Sequence, residues 1–186
     1  MSDVGKPVFV TGATGTGKSM IVQKFIADLR ADDLAVPIEL NFSAQTESKS
    51  TQANIEGKLM RKRKKIWGVQ GSAKCLIFID DVNMPQKEFY GAQPPIELLR
   101  QLIDQRGFYD RQGFAWKEIE KFTVVCAAAP PSGGRQPLTP RFMRHFQIVN
   151  VPEPTEETLS LIFESILGGF FGAKRASDKL KPSVAV

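Results

Sequence analysis

The chain has 186 residues, of which 42% are hydrophobic and 24% are charged. That length is sufficient for one well-packed domain with a small appendage, and the apolar content excludes an intrinsically disordered chain. The formal net charge is +5 at pH 7, which favours an anionic partner. A phosphate ligand would satisfy this charge as well as a nucleic acid would.

The terminal and apolar segments, the cysteines and the single histidine limit the class of protein further. The N-terminus shows no apolar segment typical of a signal peptide, and no stretch reaches the ~20 apolar residues of a membrane span. Cys75 and Cys126 each adjoin an apolar run, so we expect buried, reduced thiols. His145 is the only histidine, which excludes a His-based metal site and a Ser-His-Asp triad. We therefore expect a soluble, intracellular protein with no membrane association.

Short apolar runs and segments of helical periodicity alternate along the chain. The apolar runs predict buried strands over residues 6–11, 36–42, 76–80, 122–128 and 146–151. The helical periodicity predicts helices from residue 18 to 29, over 51–64 and 94–106, and after a capping Thr155. Strands that alternate with helices predict a mostly parallel sheet with helices on both faces, which is a three-layer α/β/α fold.

Two features between these elements have more than one interpretation. The basic run 61–65 falls at the end of the predicted second helix, where it indicates a solvated helix end more than a nuclear signal or a nucleic-acid patch. Aromatic residues flank a predicted hairpin turn at 110–113, and we expect them to pack on each other rather than stack on bases. We therefore expect no nucleic acid partner.

One segment between the first strand and the first helix matches the phosphate-binding pattern G-x-x-x-x-G-K-[ST] at every fixed position. It reads Gly12-Ala13-Thr14-Gly15-Thr16-Gly17-Lys18-Ser19. Glycines let the backbone N–H groups converge on one centre, and the helix N-terminus adds its dipole. We expect Lys18 to reach the β- and γ-phosphates of a nucleotide, and the Ser19 hydroxyl to ligate Mg²⁺.

The predicted third strand ends in two adjacent carboxylates, Asp80 and Asp81. Two neighbouring anions at the end of a buried strand repel each other and lose hydration, which predicts a cation beside them. In P-loop NTPases an Asp at this place holds Mg²⁺, and Asp80 is the candidate. Asp81 stands where many such enzymes have a Glu that polarises the attacking water, and its side chain is one methylene shorter. The other interpretation of Asp81 is a turn acid that caps the strand end.

Four further strings carry a resemblance to a known family. They read NFSAQT (41–46), FIDDVNMP (78–85), YGAQPPIELLRQ (90–101) and PLTPRFMRHF (137–146). With the phosphate loop they span residues 5–167, and they resemble the AAA+ modules of dynein heavy chains, most closely the third module of the axonemal type.

The resemblance implies a ring-forming ATPase module of a microtubule motor. It implies ATP or ADP and Mg²⁺ as ligands, neighbouring AAA+ modules as direct partners, and microtubules and dynein intermediate and light chains as indirect ones. The implied location is the cytoplasm and cytoskeleton, at the axoneme of a cilium or flagellum. In such rings an arginine of one module reaches the γ-phosphate bound by the next. Arg141 and Arg144 occupy that place here, and the alternative is that they form local salt bridges or cap a helix.

Two departures from the family pattern affect the expected activity. Ala129 stands where the family usually has a polar sensor, and together with Asp81 it predicts slow or absent hydrolysis with binding retained. The helical lid, expected to begin near Thr155, is largely missing, so we expect a fragment or a short isoform. The expected organisation is a nucleotide-binding subdomain at 5–151, the start of a lid at 152–168 and a divergent, flexible tail at 169–186.

Two other functions remain open. One is a P-loop phosphotransferase, in which a small-molecule hydroxyl rather than water attacks the phosphate. The other is a structural interaction domain with a vestigial nucleotide site, against which the complete phosphate loop argues. Nucleotide titration separates this last function from the others.

Overall fold

The computed structural model describes residues 5–71 and 73–170. Among these residues the chain divides after Val151 into two compact units, each of which is described by itself. The elements of the first unit are β1 (Val8–Thr11), α1 (Lys18–Ala31), β2 (Ala35–Asn41), α2 (Ser48–Glu56), β3 (Met60–Arg61), β4 (Ile66–Gly68), β5 (Lys74–Asp80), α3 (Pro94–Gln105), β6 (Gly107–Tyr109), β7 (Trp116–Ile119), β8 (Phe122–Ala128), α4 (Pro140–Met143) and β9 (Gln147–Asn150).

A five-stranded sheet with the order β2-β5-β8-β1-β9 forms the centre of the first unit. Every neighbouring pair in it is parallel. All the strands predicted from apolar runs are present in this sheet, with ends that differ from the prediction by at most 2 residues. The parallel sheet is therefore confirmed.

Helices cover both faces of this sheet, because successive side chains of a buried strand point to opposite sides. On β5, Ile77 packs in the core cluster that contains Ile55 of α2 and Leu99 of α3. Its neighbour Phe78 packs in the opposite cluster, which contains Val22 of α1. This alternation confirms the three-layer arrangement and explains why β5 reads as a continuous apolar run.

A second sheet has four strands in the order β3-β4-β7-β6. Only one of its hairpins was predicted from the sequence. In that hairpin β6 and β7 are antiparallel with Tyr109 opposite Trp116, and the two rings meet edge to face with centroids 4.9 Å apart. Tyr109 and Trp116 thus pack on each other, as predicted. Phe114 instead is exposed, and Phe108 belongs to the main core cluster.

The helix predicted over 51–64 is wrong in extent. α2 ends at Glu56, where the N–H of Gly57 closes the last turn onto the carbonyl of Ala53 at 2.9 Å. Glycine weakens helix continuation, and β3 and β4 then form an antiparallel pair that joins β7. The basic run 61–65 therefore lies at the connection of a β-hairpin and not at a helix end, since strand pairing overrides the local helical pattern.

The second unit contains α5 (Glu156–Phe170). The hydroxyl of Thr155 accepts a hydrogen bond from the N–H of Thr158 at 3.3 Å, as predicted for a helix cap. The helix extends to Phe170, two residues into the predicted flexible tail, and the rest of that tail, 171–186, lies outside the described residues. In the described parts of the chain, none of the helices combines the length and the apolar character needed to cross a bilayer.

Candidate functional site

A hollow of about 360 Å³ lies where the loops after β1, β5 and β8 meet. Parallel strands have their carboxyl ends at one edge of a sheet, and ligands of open α/β sheets bind at that edge. The hollow is large enough to be a small-molecule site. The residues that line it are Thr14, Gly15, Gly17, Lys18, Ser19, Met20, Asp80, Asp81, Ala129 and Arg135.

The backbone of the phosphate loop has the shape that glycine permits. Gly15 and Gly17 have φ values of 87° and 82°, a left-handed conformation that other residues adopt only with strain. At Gly12 a Cβ atom would collide with the carbonyl oxygen of Val151. α1 begins directly after Gly17 with no side-chain cap and no acidic residue in its first turn. Its first N–H groups therefore remain available to an anion.

The side chain of Lys18 is held by the loop itself. Its Nζ donates a hydrogen bond to the carbonyl of Ala13 at 2.6 Å and a longer one to the hydroxyl of Thr16 at 3.4 Å. That hydroxyl in turn donates to the carbonyl of Ala13 at 3.0 Å. Only 8% of Lys18 is exposed, and an ammonium has three donors. One donor of a positioned cation thus remains for a ligand in the hollow.

The two proposed magnesium ligands line the same hollow. Asp80 is the last residue of β5, and its Oδ1 accepts a hydrogen bond from the N–H of Asp81 at 3.0 Å. Ser19, in the first turn of α1, supplies a hydroxyl oxygen. A carboxylate and a hydroxyl are hard oxygen donors, and Mg²⁺ is held by few protein ligands together with phosphate oxygens and water. The donor set therefore fits Mg²⁺.

Asp81 faces a cation that sequence analysis missed. Its Oδ1 lies 3.5 Å from Nη2 of Arg135, which belongs to the loop after β8. The sequence offered a weak signal for Arg135, because that loop follows a buried strand that ends at the same sheet edge as β5. The hollow thus contains two carboxylates and two cationic side chains, of Lys18 and Arg135.

Ala129 presents only a methyl group at the place where a polar sensor was expected. Its carbonyl accepts a hydrogen bond from Nδ2 of Asn83 at 2.9 Å, and the carbonyl of Asn83 accepts the N–H of Gln136 at 2.8 Å. These bonds tie the segment after β5 to the loop after β8. The amide of Asn83 is 3% exposed and does not line the hollow.

The two candidate finger arginines do not line the hollow of their own chain. Arg144 is paired locally, with Nη2 3.3 Å from Oδ1 of Asp104, and Nε2 of His145 lies 3.2 Å from the same oxygen. Arg141 lies in the short helix α4 and is exposed. The local salt bridge considered as an alternative for these arginines is therefore present at Arg144.

Comparison with known proteins places this geometry in context. The family model described as "P-loop containing dynein motor region" matches residues 1–154. The chain is 53% identical to human "Dynein axonemal heavy chain 6" over 163 residues, which are 88% of this chain and 4% of that protein. It is 42% identical to human "Dynein axonemal heavy chain 1" over 181 residues, or 94% of this chain and 4% of the relative. It is 43% identical to mouse "Dynein axonemal heavy chain 3" over 166 residues, which are 89% of this chain and 4% of that protein.

The matched region is a small part of each relative. The chain spans about 4% of the length of these curated proteins. The family match, in contrast, covers most of the chain, including all the loops that line the hollow.

Proposed function

The chain belongs to the family of P-loop containing dynein motor regions, and we propose that it is an ATP-binding module of an axonemal dynein heavy chain. Within that protein it most resembles the third AAA+ module. The observation that carries the proposal is the single hollow shared by Lys18, Ser19 and Asp80. These are the groups that a magnesium–nucleotide complex requires, and the fold brings the start of α1 and the end of β5 together to present them.

The residues divide the work of binding among them. The loop N–H groups and Lys18 bind the phosphates, and Ser19 and Asp80 would hold Mg²⁺. The ion, when bound, neutralises charge on the phosphate oxygens. The loop already fixes the ammonium of Lys18 through Ala13, so little side-chain entropy is lost when the ligand enters.

We propose that this site hydrolyses ATP slowly or not at all. Asp81 is shorter than the Glu that polarises water in related enzymes, and Ala129 cannot orient a water molecule. The carboxylate of Asp81 also faces the guanidinium of Arg135, 3.5 Å away. A site of this kind would act through the conformations that ATP and ADP favour, and so contribute nucleotide-dependent control to microtubule-based motility.

The wider context follows from the same proposal. Neighbouring AAA+ modules of a ring are the direct partners, and microtubules and the intermediate and light chains are indirect ones. The cellular place is the axoneme of a cilium or flagellum, within the cytoplasm and cytoskeleton. We propose Arg141 as the finger toward the neighbouring nucleotide, because Arg144 already pairs with Asp104 within this chain.

Replacement of Lys18 tests the proposal directly. Fluorescent ATP is titrated into the wild-type chain and into Lys18→Ala, with Mg²⁺ present. We expect the variant to bind about 100-fold more weakly, because hydrogen bonds to charged groups contribute ~1.5–3 kcal/mol each.

Lys24→Ala is the matched control for this experiment. Lys24 lies on the same helix and pairs with Asp28 at an exposed position, so its loss should leave affinity unchanged. Equal binding by the Lys18 variant and the wild type would refute the proposed site. Absence of binding to the wild type would favour a structural interaction domain instead.

A further inference from the structure

Arg135 is a cation placed by the fold at the edge of the hollow. It follows the Pro- and Gly-rich turn after β8, and its own N–H donates to the carbonyl of Ser132 at 3.2 Å. The next residue, Gln136, donates its N–H to the carbonyl of Asn83 at 2.8 Å. The backbone is thus fixed on both sides of the arginine. The side chain is 20% exposed, so its direction into the hollow is imposed by packing.

The guanidinium of Arg135 has few partners in the described residues. Its Nη2 contact with Asp81 is 3.5 Å long, at the limit of a hydrogen bond. Its Nε is buried and has no hydrogen-bond partner there. A guanidinium carries five N–H donors and is always charged, and a buried donor without an acceptor destabilises the fold. Such a group is poorly satisfied by Asp81 alone.

The residues that line the hollow indicate which ligand would satisfy the guanidinium of Arg135. Lys18 approaches the hollow from the phosphate loop, whereas Arg135 approaches it from the loop after β8 together with Ala129. Ala129 contributes only a methyl group, so Arg135 is the polar side chain that the loop after β8 brings to the hollow. A guanidinium can bind phosphate oxygens through two parallel hydrogen bonds. The contact with Asp81 does not provide such a pair, because it involves a single nitrogen of Arg135 at 3.5 Å.

We propose that Arg135 recognises the terminal phosphate of a nucleoside triphosphate from within the same chain, and exchanges Asp81 for that phosphate when the triphosphate binds. This inference rests on the proposed function, because it concerns the same site. With a diphosphate bound, Arg135 keeps its contact with Asp81. The residue is therefore a specificity determinant that makes the site prefer ATP over ADP.

The test compares affinities for the two nucleotides. ATP and ADP each compete with a fluorescent nucleotide on the purified full chain in the presence of Mg²⁺, for the wild type and for Arg135→Ala. We expect the ratio of ATP affinity to ADP affinity to fall about tenfold in the variant, mainly through loss of ATP binding, as for one charged hydrogen-bonded contact. Circular dichroism and thermal melting establish that the variant is folded.

Arg111→Ala is the matched control, since its guanidinium binds Gln52 and Ser48 and does not line the hollow. Its affinity ratio should equal that of the wild type. If Arg135 only holds its loop in place, Arg135→Ala lowers both affinities by the same factor, and the unchanged ratio overturns the inference.

Arg135→Lys keeps the test decisive if the alanine variant does not fold. A lysine preserves the charge beside Asp81 but cannot form two parallel hydrogen bonds with a phosphate. We expect its ATP-to-ADP ratio to fall about threefold, and a ratio equal to that of the wild type overturns the inference. Failure of the wild type to bind either nucleotide refutes the proposed function and this inference with it. Wild-type binding with unchanged ratios refutes the inference alone.

Discussion

The adjacent carboxylates at the end of β5 have different surroundings. Asp80 accepts the N–H of Asp81 at 3.0 Å, whereas the carboxylate of Asp81 is 44% exposed and faces Arg135. Asp81 also has a φ of 50°, in the left-handed region that Asp adopts more readily than most residues with a side chain. This difference fits a metal ligand followed by a carboxylate that faces the hollow.

Lengthening the second carboxylate is expected to raise the rate of hydrolysis. In Asp81→Glu the carboxylate extends one methylene further, and a misplacement of about 1 Å can reduce a rate about 10²-fold. We expect at least a tenfold increase, estimated from the same effect, in phosphate release by a full-length heavy chain that carries this module and whose other nucleotide sites are disabled. Asp81→Asn, which removes the charge, should give no increase. Rapid release by the wild type would contradict the proposal of slow hydrolysis.

The buried thiols predict how stability depends on pH. Cys75 and Cys126 are both buried and free of disulfides, as expected from the sequence. Burial raises the pKa of the Cys75 thiol from its ordinary value of 9.0 to about 12. Because this folded-state pKa lies above the unfolded-state value, the thiol's contribution to stability is complete below pH 9 and is lost as the pH rises from 9 towards 12.

Cys75→Ala should therefore reduce the loss of stability at high pH. One thiol contributes a slope of up to about 1.4 kcal/mol per pH unit to the free energy of unfolding. Urea denaturation of the wild type and the variant between about pH 8 and pH 11 measures this slope. Burial also raises the pKa of Cys126, and that contribution remains in both proteins. Parallel curves for the two proteins would show that Cys75 does not carry the effect.

At the scale of elements, segments with a continuous or periodic apolar pattern were predictable, and segments without such a pattern were not. The sequence predicted β8 at its observed bounds and placed α3 over 94–106, and the structure has α3 at Pro94–Gln105. Both elements bury continuous or periodic apolar side chains, which impose one geometry on the chain. The segment 57–68 lacks such a pattern, and its hairpin exists because β4 pairs with β7, a partner about 50 residues away. Pairing over that distance leaves no local signal.

The same reasoning separates the predicted from the missed residues of the site. Lys18 and Ser19 belong to a contiguous motif whose conformation is set by local glycines, and Asp80 ends a strand that any hydrophobicity pattern identifies. Arg135 lies in an irregular loop, where the direction of a side chain depends on tertiary hydrogen bonds such as the one from Gln136 to Asn83. Such bonds become visible only once the sheet order is known.

Truncation of a side chain in α3 tests the importance of the larger core cluster. Leu99 is fully buried between α3 and the sheet. Leu99→Ala should lower the free energy of unfolding by about 2–5 kcal/mol, through lost burial and the cavity left behind. Urea denaturation measures the change, and an unaltered m value would show that the denatured state is unaffected. Gln105→Ala, at an exposed position of the same helix, should change it by less than about 0.5 kcal/mol.

At the scale of the whole molecule, the first unit gathers Lys18, Ser19 and Asp80 around one hollow, whereas the two candidate finger arginines lie elsewhere. Arg141 and Arg144 follow the loop that leads out of the hollow, and neither lines it. A finger acts on the nucleotide of another module, so it needs to be exposed and without a strong partner in its own chain. Arg144 is bound to Asp104, which also faces His145. Arg141 meets these conditions better.

The two arginines should therefore differ in their effect on a neighbouring site. In a full-length heavy chain that carries this module, Arg141→Ala is expected to slow hydrolysis at the adjacent nucleotide site about 10³-fold, the lower end of the range for arginine fingers. Arg144→Ala loses mainly a surface ion pair, which contributes less than about 1 kcal/mol to the free energy of unfolding. We therefore expect little change in hydrolysis at the adjacent site. Phosphate release is measured with every site except the adjacent one disabled. A larger effect of Arg144→Ala would reverse the assignment, because it would mean that the pair with Asp104 opens when the ring assembles.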